Sequence, residues 1–390
     1  MQSIRIFILI STVCFGSSAA SGSLGQTPAQ ASIDKAKALI AKQPRHAPYY
    51  NELAIAYIRR ARETGDVSFY STAEEILGKS RQIDPDNYGA ERAQLGLQVG
   101  RHDFKAAVAT ATKLNKRSPD DVIVYGYLSE AHSELGNYAA AVDAAQWMFK
   151  LRAGNVAALI RAAQLREVHG QLSGSLQLLQ MAYDAMSFQE TEERAWLLTQ
   201  MAHVYLLSGD SKHAEQFVQG ALEVFPDYHL ALGTLSQVRE AQKRFDEAVD
   251  LQRKRYASAP QPRNLFALAD LLNKAGKIDM ARQAFAQFEV ASLKESQNPD
   301  NSNHELVAYY VDVLHQPEKA IAIAQFELKV RRDIYTLDGY AWALAAHGQL
   351  EEASAIMKEA LATDTRDPEI LLHAGVIEKK RLDAPKPAAR

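Results

Sequence analysis

Residues 198–226, LTQMAHVYLLSGDSKHAEQFVQGALEVFP, contain the pattern that decides the fold. Apolar and small side chains recur there at the spacing of one helix face, at Leu198, Met201, Ala202 and Tyr205. The dipeptide Gly209–Asp210 interrupts this face, a second one begins at Ala214, and Pro226 ends it. The stretch therefore predicts two helices joined by a short turn.

The same pattern repeats along the chain. Its most regular column is the small residue that begins each second helix: Ala73, Ala107, Ala141, Ser175, Ala214, Ala248, Ala281, Ala320 and Ala353. Successive members are 33 or 34 residues apart, except for two intervals of 39 residues. First helices have their own small column: Ala54, Ser129, Ala163, Ala202, Ser236, Ala269, Ala308 and Ala341. A fixed period of this length indicates stacked helical repeats.

Small residues at these positions have a physical reason. Two antiparallel helices approach closely only where the facing side chains are small, and larger residues beside them fill the grooves. Glycine accepts the left-handed conformation that ends a helix, as we expect at Gly136, Gly170, Gly209, Gly276 and Gly348. Each hairpin leaves an apolar face that only the next hairpin can cover, so the units must stack into a solenoid.

The period and the two small columns resemble tetratricopeptide repeats over roughly residues 31–378. The resemblance implies an all-α, right-handed α-solenoid of about nine helix–turn–helix repeats, with half-repeats at both ends. A non-repeating helical bundle is the disfavoured alternative. The second repeat departs from the pattern, because its first-helix positions fall on Glu91, Gln94, Leu95 and Gln98. A shift by one residue, to Ala90, Ala93, Gln94 and Leu97, fits better but remains weak.

Three segments exceed the length that the period requires: residues 59–72, 187–194 and 294–303. We expect them to be lengthened helix ends or loops on one rim of the solenoid.

The N-terminal residues are typical of an exported protein. Residues 1–20 combine Arg5, a short apolar run over residues 6–15 and small residues at positions 18–20, where a signal peptidase would cleave. This order is typical of a secretory signal peptide. The apolar run is about half the length that spans a membrane. Cys14 fits a lipid-anchor motif badly, so a lipoprotein is the weaker alternative. Residues 21–30 predict a flexible linker and residues 379–390 a disordered tail. In a diderm bacterium the mature chain would be periplasmic.

Composition and motifs narrow the function. The 390 residues include 44 Lys and Arg against 47 Asp and Glu, a formal charge of −3, whereas nucleic-acid binding needs a basic face. A single cysteine builds neither a disulfide framework nor a thiolate metal site. His304–Glu305 begins a zinc-protease motif, but Ala308 stands where the second histidine is required. We therefore predict no cofactor, no metal and no enzymatic activity; carboxylates on the inner wall are the enzyme alternative.

The resemblance implies that first helices line a concave groove and that the residue after each small one points into it. This row is Glu130, Gln164, His203, Gln237, Asp270, Tyr309 and Trp342. Polar groups can bond to an extended peptide, and exposed rings at Tyr309 and Trp342 can bury one of its side chains. We expect a protein-interaction scaffold, and the resemblance implies cell-envelope assembly or secretion partners. The alternative is a groove for a glycan or small ligand, held by His203, Tyr309 and Trp342.

Overall fold

The computed structural model describes residues 27–298 and 301–384, which form twenty α-helices and no strand. Their bounds are α1 Pro28–Lys42, α2 Ala47–Thr64, α3 Ser68–Ile83, α4 Tyr88–Gly100, α5 Phe104–Arg117, α6 Val122–Glu134, α7 Tyr138–Leu151, α8 Val156–Val168, α9 Leu172–Ala185, α10 Thr191–Leu207, α11 Ser211–Val224, α12 His229–Ala241, α13 Phe245–Ser258, α14 Pro262–Lys274, α15 Ile278–Glu295, α16 Asn303–Ala308, α17 Pro317–Glu327, α18 Ile334–Ala346, α19 Leu350–Ala360 and α20 Pro368–Asp383. A π-helical turn, Tyr309–Val313, continues α16, and a 3-10 turn, Leu361–Thr363, follows α19. The predicted all-α class is confirmed.

Consecutive helices pair into hairpins. Within the described residues, the pairs from α2–α3 to α18–α19 make nine repeats, with α1 before them and α20 after them. All nine small residues that begin second helices are at most 1% exposed, as close helix packing requires. The first-helix column is buried as well, except for Ala308, which is partly exposed and directly precedes the π-helical turn. The predicted solenoid, with a half-repeat at each end, is confirmed.

Each hairpin turns at a residue with left-handed backbone. Six of these residues are glycines with φ between 65° and 87°: Gly65, Gly136, Gly170, Gly209, Gly276 and Gly348. The second, sixth and eighth repeats carry His102, Lys243 and His315 at the same place, with φ between 54° and 59°. The turn geometry is therefore kept even where the glycine signal is missing from the sequence.

The second repeat adopts the shifted pattern. Ala90, Ala93 and Leu97 are 0%, 3% and 0% exposed, whereas Glu91 stays partly exposed. Leu95 is also fully buried. The repeat therefore packs like the others, with alanine and leucine at its contact face.

The solenoid coils so tightly that successive superhelical turns, each made of several repeats, touch each other. The hairpin turns of the first four repeats contact loops that precede first helices several repeats later. Three such contacts join Gln261 Nε2 to the Gly65 carbonyl at 2.8 Å, Arg332 N to the Glu134 carbonyl at 3.4 Å, and His169 Nδ1 to the Thr363 carbonyl at 3.1 Å.

The long segments take part in this contact. Residues 59–64 extend α2 at the rim formed by the hairpin turns, whereas residues 187–194 precede and begin α10 at the opposite rim. The expectation that they share one rim is wrong. Where successive superhelical turns touch, one rim of the first turn lies against the opposite rim of the next. The extension of α2 and the segment that begins α10 therefore contact each other.

The terminal helices are longer than predicted. Residues 28–30 belong to α1 and residues 379–383 to α20, so the predicted linker and tail are both too long at these positions. Thr27 begins α1 as its N-cap, with Oγ1 accepting a hydrogen bond from Gln30 N at 3.3 Å. The predicted signal peptide at residues 1–20, most of the linker and the end of the tail lie outside the described residues. None of the described helices is both long and apolar enough to cross a membrane.

Candidate functional site on the inner wall

Arg161 joins the first two members of the predicted row. Its Nη2 lies 2.5 Å from Glu130 Oε2 on α6, and its Nη1 donates to Gln164 Oε1 at 2.7 Å on its own helix, α8. The side chains of Arg161 and Glu130 remain 21% and 29% exposed. The third and fourth repeats therefore share one charged, solvent-reachable cluster.

His203 continues this wall on α10. Its Nε2 lies 3.4 Å from Glu167 Oε1 on α8. Burial lowers the pKa of His203, but the hydrogen bond and charge of Glu167 outweigh burial, so the pKa is raised. The pair therefore favours a protonated imidazole, and the His203 side chain remains 35% exposed.

A second charged cluster, centred on a lysine, lies on α14. Lys274 Nζ lies 2.6 Å from Asp270 Oδ2 and 2.5 Å from Glu240 Oε1 on α12. Gln237, one turn before Glu240, is exposed. Arg161 thus joins two row members of adjacent repeats, whereas Lys274 joins the row member Asp270 to Glu240, which lies beside the row.

Tyr309 does not face the groove. It is 5% exposed, stacks on Phe285 with ring centroids 5.4 Å apart and meets the edge of Phe288 at 5.7 Å. The expectation of an exposed ring is wrong because the row assumes regular α-helix, whereas Tyr309 begins a π-helical turn. A π-helical turn holds more residues than an α-helical turn, so a register counted back across it from the hairpin turn is displaced.

Trp342 is covered by the terminal helix. Its ring stacks on His373 of α20, with centroids 4.1 Å apart and an interplanar angle of 10°, and its Nε1 donates to Asp312 Oδ1 at 3.0 Å. Burial lowers the pKa of His373, but the Asp338 carboxylate, 3.0 Å away, outweighs it and the pKa is raised. Two of the three side chains suggested for a glycan site are therefore occupied by the protein itself.

Sequence reasoning missed a charged cluster between the turns, which we call the inter-turn ionic cluster. It consists of Arg59, Arg62, Glu190, Glu192 and Glu193. Arg62 contacts Glu192 through two nitrogens, at 3.0 Å and 2.7 Å, and Arg59 Nη2 lies 2.5 Å from both Glu190 and Glu193. The cluster joins the end of α2 to the start of α10.

Burial sets the electrostatics of this cluster. The Glu192 side chain has no exposed area, and Tyr228, also fully buried, donates its hydroxyl to Glu192 at 2.6 Å. Burial and the charge of Glu192 raise the pKa of Tyr228. Burial opposes the charge on Arg62, but Glu192 outweighs it and keeps the pKa raised. The available sequence signal was the match between RRAR at residues 59–62 and ETEER at residues 190–194.

The described residues include no group of three or more His, Cys, Asp or Glu side chains arranged to hold a metal ion. His304 lies on the exposed side of the short helix α16.

Comparison with known proteins shows a likeness of fold. No protein-family model and no curated sequence matches the chain. A chain of the APC/C hetero-tetramer Cut9–Hcn1 matches with a TM-score of 0.52 and 11% identity, covering 91% of this chain and only 60% of that chain. Human IFIT1, solved as a dimer with m7Gppp-AAAA, matches with a TM-score of 0.52 and 14% identity, covering 85% of this chain and 84% of that chain. The fold is a tetratricopeptide-type solenoid.

Proposed function

We propose that the protein is a non-catalytic interaction scaffold that binds an extended segment of a protein partner along its inner wall. The continuity of polar groups from α6 to α14 carries this proposal. The paired side chains on this wall keep between 15% and 41% of their area exposed. An extended peptide presents backbone donors and acceptors at regular intervals, which successive amide, carboxylate and basic groups can bond.

The charge of the wall favours a protein partner over a nucleic acid. The paired groups on this wall comprise four carboxylates (Glu130, Glu167, Glu240 and Asp270) and three cations (Arg161, His203 and Lys274), so the wall lacks the net positive charge that phosphates need. The IFIT1 structure contains a capped RNA, so the fold itself is compatible with RNA. The acidic groups, and not the fold, therefore support the protein partner.

Cross-linking from the wall tests this proposal. A photo-reactive residue at Gln237, exposed on α12, should yield a discrete cross-linked partner in cells, because a bound segment would pass it. The matched control is Gln283, exposed on the second helix α15. The variant Arg161→Ala with Lys274→Ala should weaken the Gln237 product. Equal products from both positions, or none from Gln237, would count against binding on the wall.

We also propose that the protein is exported to the periplasm, on the strength of the signal-peptide pattern at residues 1–20. Cell fractionation tests this separately: the full chain should be found in the periplasmic fraction, and a chain lacking residues 2–20 should stay in the cytoplasm. A cytoplasmic location of both forms would refute export without affecting the scaffold proposal.

A further inference from the structure

A partly open cavity of about 150 Å³ lies between the eighth and ninth repeats. Its walls come from α16, α17 and α18, and Glu134, at the end of α6 in the preceding turn, closes one side. A cavity of this size holds one small group, such as a ring or the end of a side chain. No member of the predicted row lines this cavity, so it is distinct from the wall described above.

Two acceptor groups in the lining lack a full hydrogen-bond partner. Asn303 is 1% exposed and lines the cavity, and its Oδ1 has no partner although its Nδ2 donates to Ser296 and Glu327. The carboxylate of Glu134 lies 3.9 Å from Arg331, beyond hydrogen-bond distance. A ligand that is rich in donors would satisfy both groups.

The cation already present in the lining is engaged elsewhere. Arg331 Nε lies 2.9 Å from Glu327 Oε1, and its guanidinium lies over the Phe104 ring at 5.6 Å. Asp333, in contrast, adds a third carboxylate and accepts hydrogen bonds from the start of α18. Carboxylates therefore outnumber the arginine that faces them.

The titration of Glu134 reflects this excess. Burial raises its pKa to about 7, and the charge of Asp333 acts in the same direction. A cation bound beside Glu134 would stabilise its ionised form.

The ring of Tyr335 adds a flat surface. It lines the same cavity and remains 39% exposed, so a ligand can reach it. Among biological cations, a guanidinium combines five donors in one plane with stacking on an aromatic face.

We propose that this cavity binds the guanidinium group of an arginine side chain, with Glu134 and Asn303 accepting its hydrogen bonds and Tyr335 beneath its plane. The arginine would belong to the partner segment, so its source rests on the proposed function. Its recognition does not, because a free arginine derivative can occupy the cavity without any partner.

Calorimetric titration of the full protein tests the site. The probe is Nα-acetyl-arginine amide, compared with the neutral isostere Nα-acetyl-citrulline amide and with Nα-acetyl-lysine amide. We expect saturable binding of the arginine derivative. The affinity for each of the other two derivatives should be lower by a factor of roughly ten or more. No saturable binding at millimolar concentration, or equal affinity for citrulline or lysine, would overturn the proposal, whatever the cross-linking from Gln237 shows.

Two variants locate the binding. Glu134→Gln should lower the affinity for the arginine derivative roughly tenfold. The Glu351 side chain is 83% exposed and does not line the cavity, so Glu351→Gln should leave this affinity unchanged. Gly339 lines the cavity, and a Cβ there would lie 3.6 Å from Val307, in ordinary contact. Gly339→Leu should therefore fill the space and abolish binding while melting cooperatively. Full affinity in both cavity variants would place the arginine elsewhere and refute the site.

Discussion

Two kinds of interface hold this solenoid together, and they differ in composition. Along the stack, helices of the same and of neighbouring repeats meet through small and apolar residues such as Ala202 and Ala214, both fully buried. Successive turns meet through polar groups such as Arg62, Glu192 and His229. The first interface determines that hairpins stack, and the second determines how tightly the stack coils.

The difference follows from chain connectivity. Neighbouring hairpins are linked by short loops, so their contacts recur with the period of the sequence. Turn-to-turn contacts join residues that are 130 or more positions apart, as for Arg62 and Glu192 or His229 and Arg62, and no period marks them. Polar contacts are directional and can be replaced by water, so this interface fixes a geometry at a smaller energetic gain than apolar burial. We therefore expect the repeat interface to dominate stability.

Truncating a leucine in the repeat interface should have the largest effect. Leu197 is fully buried in α10, and Leu197→Ala should lower the free energy of unfolding by about 2–5 kcal/mol, because it removes apolar contacts and leaves a cavity. Leu372, 64% exposed on α20, is the matched control. Leu372→Ala should change the free energy of unfolding by less than about 0.5 kcal/mol. Urea denaturation measures both. Equal effects would show that burial does not govern this interface.

Acid should weaken the turn-to-turn interface through His229. Its Nε2 donates to the Arg62 carbonyl at 3.0 Å, and burial lowers its pKa from 6.5 to about 4. The unfolded chain binds this proton below pH 6.5 and the folded chain only near pH 4, so stability falls as pH falls through this window. The full loss is about 3 kcal/mol. Denaturation of the protein and of His229→Gln between pH 7 and pH 4 would measure it.

His373 provides the opposite case within the repeat interface. Its pKa is raised, so its contribution is present below pH 6.5 and is lost as pH rises through the folded-state pKa. His373→Gln should therefore be less stable than the parent protein at pH 6 and closer to it at pH 8. Parallel pH profiles for the His229 and His373 variants would contradict both assignments.

The inter-turn ionic cluster offers a smaller effect. Glu192→Gln removes the charge that both Arg62 and Tyr228 contact, and should cost about 1–3 kcal/mol. It should also increase the radius of gyration in small-angle scattering, because the turns are joined there. Glu351→Gln, the exposed control, should alter neither value. An unchanged radius in Glu192→Gln would mean that the other inter-turn contacts hold the coil closed alone.

The sequence predicted the periodic part of this structure and missed what lies outside the period. The small columns located the helix contacts correctly except at Ala308, because these contacts recur from hairpin to hairpin. The burial of Tyr309 was missed because a π-helical turn leaves no mark in the spacing. The partners of Trp342 and Glu192 were missed because His373, Asp312 and Arg62 come from other repeats. The predicted row therefore remains a prediction as a binding site, and the side chains that pair with its members could be identified only from the structure.

The hairpin turns give the smallest and most local test. Lys243 adopts φ 59° in the sixth repeat, and Gly276 adopts φ 73° in the seventh with open space around its Cα. Gly276→Ala should cost about 1 kcal/mol, because a side chain disfavours left-handed backbone. Lys243→Gly should remove this strain and raise the free energy of unfolding by less than about 1 kcal/mol. The increase is small because glycine also raises the conformational entropy of the unfolded chain. Opposite signs in urea denaturation would show that the two turns share one geometry and differ only in the residue that occupies it. Equal signs would mean that Lys243 is held by contacts rather than strained by its backbone.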